Sequence, residues 1–332
     1  KKMINRIRGI RHPEAYHGDN AGTPFFEGWY HKIVTKSGHA IVIIPGIYCS
    51  KKVNNHFSFI MIFDGLSGKV HFERFQKDDF FSKTDSYNTI IGGNKFFSDG
   101  ISLNIKTEDF SISGSIDFIK THPWPVTIKE PGCMGWYAYL PIMECYHGIL
   151  SMDHELSGEL IYNGDVLAFN KGRGYIEKDW GKNFPTSWIW VQSNHFNNNK
   201  ISLSASIARI PLLGTRFAGF IVGLLYQGEL YRFTTYRSAK IVELTYDGSN
   251  INWVIEQKTL TLFIQIEIGK RAGILFAPDE KDMVKKVPEY LDSKVSIKLM
   301  KNNSTIVEDS SDLAANEIVG DIENLLELAN KH

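Results

Sequence analysis

Residues 260–268 read LTLFIQIEI, with Leu260, Leu262, Ile264, Ile266 and Ile268 at every second position. Period two puts these five side chains on one face of an extended chain, whereas a helix of the same composition would scatter them around its axis. The same alternation recurs at Ile101, Leu103 and Ile105, and again at Phe110, Ile112, Gly114, Ile116 and Phe118. It returns at Ile201, Leu203, Ala205 and Ile207, and at Val295, Ile297 and Leu299. Each run predicts a strand with one buried face and one solvated face, as antiparallel sheets require. Ser37-Gly38, Asp64-Gly65, Ser67-Gly68, Asn163-Gly164 and Asp247-Gly248 punctuate the chain, and Asn-Gly and Asp-Gly suit the positive φ of hairpin turns. Only 321–330 reads as helix, with Ile322, Leu325 and Leu326 on one stripe and Asp321 as its cap. The expected class is all-β, a sandwich or barrel of many short antiparallel strands with a short C-terminal helix.

Composition narrows the function. The 332 residues carry 37 Lys+Arg against 37 Asp+Glu, and 43% are apolar. A zero balance argues against a nucleic-acid partner, which calls for a basic surface, and against attraction to an anionic membrane face. The longest apolar stretch, Phe217 to Tyr226, is half the ~20 residues of a spanning helix, so no transmembrane segment is expected and any membrane contact is transient. The opening KKMINRIRGIRH has no apolar stretch behind its basic residues, which predicts a cytoplasmic protein. Cys49, Cys133 and Cys145 are scattered and odd in number, arguing against a disulfide framework or a zinc knuckle. No HxxxH or HExxH pair exists, so no metal is expected. There is no GxSxG, and the GRG at 172–174 is too short to cradle a phosphate, so no cofactor is expected either.

Two segments concentrate acid and indole: FFEGWYHKI at 25–33 and YIEKDWGKNFPTSWIWVQ at 175–192. Glu27 and Glu177 lie 150 positions apart, near half the chain, which suggests a duplicated β-domain. The Pro- and Gly-rich stretch 121–141 reads as a connecting excursion, and a boundary near 153 gives domains of 1–153 and 154–332. Alternation puts Glu27, Trp29 and His31 on one face, Tyr175, Glu177 and Asp179 on one face, and Trp188, Trp190, Gln192 and Asn194 on another. Convergence of these faces on a barrel interior would make an indole-lined hollow with carboxyl groups in it. Burial and a second nearby carboxylate both favour the protonated acid, and such a group donates a proton near neutral pH. Two plainer readings stand beside this one. Tryptophans two apart are ordinary core, and a Glu beside a Lys is an ordinary ion pair.

The chain resembles the tocopherol cyclase family. The resemblance rests on Gly22-Thr23-Pro24 leading into Phe25-Phe26-Glu27-Gly28-Trp29-Tyr30, and on Tyr175 with Glu177-Lys178-Asp179-Trp180-Gly181. It continues through Phe184-Pro185, Trp188, Trp190-Val191-Gln192 and Asn194, with weaker likeness at Gly135-Trp136, Ser157-Gly158 and Ala314–Gly320. Position 179 is Asp where plant members carry Asn. The resemblance implies two lipocalin-like β-domains and cofactor-free closure of a prenylated hydroquinone to a chromanol. On that basis Glu177 or Asp179 is the expected acid, with Glu27 next. Trp29, Trp180, Trp188 and Trp190 are expected to line a cation pocket, and Tyr30, Tyr175, Gln192 or Asn194 to hold the phenol. The expected ligand is an apolar isoprenoid or quinol. The alternative is a carrier that buries such a ligand and does no chemistry.

Overall fold

A computed structural model of the chain describes residues 10–19, 21–51, 55–212, 214–279 and 282–331. The N-terminal stretch 1–9, on which part of the localisation reading rests, lies outside them. Among the described residues the protein is all-β, with two antiparallel sheets of twelve and ten strands and one short C-terminal helix. No helix there is long and apolar enough to cross a membrane.

The chain divides into two units, 1–184 with 275–286, and 185–274 with 287–332. Both sheets are wired alike. In the first, the strands Phe25–Val34, Ala40–Cys49, His56–Asp64 and Val70–Gln76 form a meander, and Phe25–Val34 closes on its other side against Gly172–Gly181. In the second, Trp188–Ser193 begins a meander of four strands and closes against Ser304–Val319. The fold thus repeats, but with different counterparts from those the Glu27–Glu177 spacing suggested. Both of those glutamates belong to the first sheet, on directly paired strands. The expected boundary at 153 falls inside the strand Cys145–Tyr162, whose hydrogen bonds to Gly172–Gly181 keep the chain in the first unit as far as Phe184.

The alternating runs do as their period dictates. Leu262, Ile264 and Ile266 are buried and pair in register with Leu299, Ile297 and Val295 in the core of the second unit. Burying a side chain of this size contributes about 1.5–3 kcal/mol relative to leaving it in water. The helix Ile322–Ala329 is capped by Asp321, whose carboxylate accepts from the Asn324 N–H at 3.2 Å, and Leu325 packs into the same core. In the first unit the equivalent core holds Trp29, Ile33, Ile41, Ile43, Ile60 and Ile62.

Candidate active site

The site is decided by the register of one strand pair. Phe25–Val34 runs antiparallel to Gly172–Gly181 with Tyr30 opposite Glu177, Gly28 opposite Asp179 and Trp29 opposite Lys178. Directly opposed residues share a face of the sheet. Glu27, Trp29 and His31 therefore lie with Lys178 and Trp180 on one face, and Tyr175, Glu177 and Asp179 lie with Gly28 and Tyr30 on the other. The two acidic segments do not converge on one interior. Their strands lie side by side in one sheet, with Glu27 on one face and Glu177 and Asp179 on the other.

On the first of these faces the charges are already matched. Glu27 is fully buried, and its Oε1 lies 2.5 Å from Lys178 Nζ, itself fully buried. The backbone N–H of His17 donates to both Glu27 oxygens at 2.9 and 3.1 Å. Lys178 Nζ also reaches the carbonyls of Pro13 and Ala15 and the ring nitrogen Nδ1 of His17. Burial opposes the charge on Glu27, but Lys178 and His17 together hold its carboxyl below the ordinary glutamate range. Glu27 is thus an ionised strut, which removes it from the expected proton donors. Trp29 is fully buried, stacks on Tyr87 at 5.4 Å and donates from Nε1 to the Glu14 carbonyl. Trp180 is stacked on His17 at 4.3 Å and on Tyr146 at 5.6 Å. The cation these two indoles hold is the Lys178 ammonium, 4.7 and 4.8 Å from their ring centroids. Neither indole face is left for a substrate, so both tryptophans are core rather than pocket wall.

The opposite face gathers a histidine and two acids. Asp179 pairs across to His147 on the strand Cys145–Tyr162, and His147 Nδ1 lies 3.0 Å from Asp179 Oδ1. The other ring nitrogen, Nε2, is 3.8 Å from Glu177 Oε2. Tyr175 donates its hydroxyl to that same oxygen at 2.6 Å, so it orients Glu177 within the set. Burial works against a charged His147, but Asp179 and then Glu177 outweigh it and push the imidazole up to about 9. At an effective dielectric near 20, opposite charges 3–4 Å apart attract by about 4–6 kcal/mol each, enough for two carboxylates to offset the desolvation of one ring. His147 is therefore an imidazolium at neutral pH. The side chains of His147, Glu177 and Asp179 are 15%, 7% and 23% exposed, so the set is mostly desolvated yet open at Asp179. The excursion before the strand braces it: Cys133 Sγ donates to the His147 carbonyl, and the His147 N–H faces Met134 Sδ.

Glu177 and Asp179 were expected together from their spacing in the sequence, and His147 was not. Alternation along Cys145–His147 would have put that ring on one face, but its partners lie some 30 residues away. One ligand atom from each of His147, Glu177 and Asp179 falls within 4.8 Å of the others, a composition that also suits a divalent ion. Histidine spacing could not reveal it, because only one histidine takes part. Of the remaining expected residues, Tyr30 is buried on the strand beside Glu177. Trp188, Trp190, Gln192 and Asn194 are buried in the second unit, where Trp188 Nε1 donates to Glu317 Oε2 at 2.7 Å and Asn316 donates to the Trp190 carbonyl. The His147 set is built wholly within the first unit.

A protein-family description, tocopherol cyclase-like, matches residues 98–320, more than half of the chain. The chain belongs to the tocopherol cyclase-like family. It is 23% identical over 319 residues to a Zea mays protein named "Tocopherol cyclase, chloroplastic", covering 78% of this chain and 65% of that one. It is 23% identical over 321 residues to "Probable tocopherol cyclase, chloroplastic" of Oryza sativa subsp. japonica, covering 77% of this chain and 67% of that one. The chain thus spans about two thirds of the length of these relatives. Among solved structures, kievitone hydratase from Nectria haematococca aligns over 94% of this chain and 92% of its own, with a TM-score of 0.52 at 11% identity. CghA aligns over 95% and 91% with a TM-score of 0.56 at 10% identity. A protein assigned as AttH from Nitrosomonas europaea gives 0.53 at 13% identity over 92% and 94%. At such identities the likeness is one of fold, and it is shared across both units of this tocopherol cyclase-like chain.

Proposed function

We propose that this protein is a proton-initiated cyclase acting on a hydroquinone that carries an isoprenoid chain. The observation that carries the reading is the His147 ring held 3.0 Å from Asp179 and 3.8 Å from Glu177 on a largely desolvated face, where the two carboxylates favour its imidazolium form. The proton shared along the His147 Nδ1–Asp179 Oδ1 contact is delivered to the less substituted carbon of a trisubstituted alkene. A tertiary carbocation forms on the neighbouring carbon, and the phenol oxygen closes on it. The phenol proton then returns to the set, so substrate and product are isomers and no oxidant or reductant is consumed. Two carboxylates beside the donor also offset the positive charge that develops on the substrate, and the low-dielectric surroundings strengthen that effect. A carrier has no use for a charged triad on its binding face, and the family is named for a cyclase.

The test is turnover of geranylated methylhydroquinone by the purified protein and by His147→Gln, Asp179→Asn and Glu177→Gln. A positioned proton donor contributes typically 10²–10⁴-fold. Loss of at least ~100-fold in kcat is expected for His147→Gln and Asp179→Asn, and a smaller loss for Glu177→Gln. Turnover within threefold of wild type in all three variants would exclude this set as the donor.

A further inference from the structure

Three neighbouring strands of the first sheet are buried almost throughout, and each is broken near the same place. Along Phe25–Val34 every described position is buried except Gly28, and along Ala40–Cys49 every position is buried except Ile44. Along Gly172–Gly181 the breaks are Asp179 and, near the far end, Arg173. Register brings three of these together: Asp179 lies opposite Gly28, Gly28 lies opposite Gly46, and Ile44 stands two residues along from Gly46. The sheet therefore carries a row His147, Asp179, Gly28, Gly46 in which the two positions beyond the acid have no side chain.

The two glycines are not equivalent. The Phe59 ring already occupies the space that a Cβ on Gly46 would need. A Cβ on Gly28 would meet only Ile44 Cγ2 at 3.6 Å, the Pro45 carbonyl at 3.7 Å and Phe59 Cζ at 4.0 Å, which are ordinary contacts. No φ in the left-handed region demands glycine at position 28, so the absence of a side chain there serves space rather than backbone geometry. What remains over the Gly28 backbone is a part-exposed gap with room for a Cβ. Asp179 stands opposite it, its Oδ1 engaged by His147 and Cys145 on the next strand, while Ile44 and Phe59 lie on the other side and Phe26 and Tyr30 are the next residues on the same face.

Resting on the cyclase reading, we infer that the gap over Gly28 is the subsite for the branched, trisubstituted alkene of the substrate. A reacting carbon must come within about 3–3.5 Å of the carboxyl that hands on the proton shared with His147, and part-exposed Gly28 stands directly opposite Asp179. Phe59, whose Cζ lies 4.0 Å from where a Cβ on Gly28 would sit, is the aromatic ring nearest the cation that follows, the part the tryptophans were expected to play. Gly28 thereby sets the size of the group admitted at the reacting carbon.

The experiment separates this inference from the reading beneath it by using an unreactive probe, methylhydroquinone with a fully saturated geranyl chain, alongside its unsaturated parent. Binding of the saturated probe is measured by calorimetry for wild type, Gly28→Ala and Gly28→Val. The expected result is at least a tenfold weaker Kd for Gly28→Ala with an unchanged Tm, and no measurable binding for Gly28→Val. Because a Cβ at position 28 meets only ordinary contacts, the alanine variant keeps the test decisive even if the valine variant fails to fold. Equal affinity in wild type and Gly28→Ala, or no binding of the probe to wild type, overturns the subsite. Weakened binding in the variants, with no turnover of the unsaturated parent by wild type, sustains the subsite and removes the cyclase reading. Turnover that is equal in wild type and Gly28→Ala does the reverse.

Discussion

His147 is the residue on which the proposed chemistry turns, and its protonation has consequences that can be measured away from any substrate. Its folded-state value, about 9, lies above the ordinary histidine value of about 6.5. A raised value means that the folded protein binds the proton more tightly than the unfolded chain does. The stabilisation from the imidazolium–carboxylate contacts is therefore complete below about pH 6.5 and fades as pH rises through about 9. Thermal unfolding of wild type and His147→Gln should show a Tm difference that is largest near pH 6 and narrows by pH 9.5. A constant difference across that range would mean that the ring is not charged in the folded state. Turnover should fall over the same alkaline limb, because the group that supplies the proton is then empty.

Among the elements, the strand pair Phe25–Val34 and Gly172–Gly181 shows how much of the site could be read in advance. Strand identity and the side chains sharing a face within each strand were legible, since alternation is a local property. The relation between the two strands was not, because register depends on hydrogen bonding between segments about 150 residues apart, and a one-residue slip exchanges the faces. That single unknown decided that Glu27 is a strut and that Trp29 and Trp180 embrace a lysine. The buried pair also ties the segment 13–17 to the sheet, through the Pro13 and Ala15 carbonyls and His17. Removing one member leaves the other as an uncompensated buried charge, at a cost of about 3–5 kcal/mol. Glu27→Gln and Lys178→Met should each lower stability by roughly that amount in urea unfolding, and the double variant should lose clearly less than the sum. Simple additivity would show that the two charges do not meet.

For the whole molecule, the repeat of one sheet plan in two units was anticipated, but the segment 275–286 was not. It belongs to the first unit, far along the chain from the rest of it. Phe276 stacks on Phe72 at 5.4 Å, Met283 joins the cluster of Phe26, Tyr48, Phe57 and Phe59, and Arg74 pairs with Asp282 at 3.2 Å. Periodicity is a local property and cannot assign a dozen residues across so long a gap. A fragment of residues 1–184 should consequently expose that aromatic cluster and bind the dye ANS strongly, and a fragment that binds no more dye than the full chain would contradict this division. In the proposed reaction one solvent-derived proton, passed through the His147 set, starts a ring closure. Geranylated methylhydroquinone converted in heavy water tests this most directly: the chromanol should carry one deuterium, on one face of the ring carbon next to the new C–O carbon. A cyclised product without deuterium, or with it spread over both faces, would contradict the account.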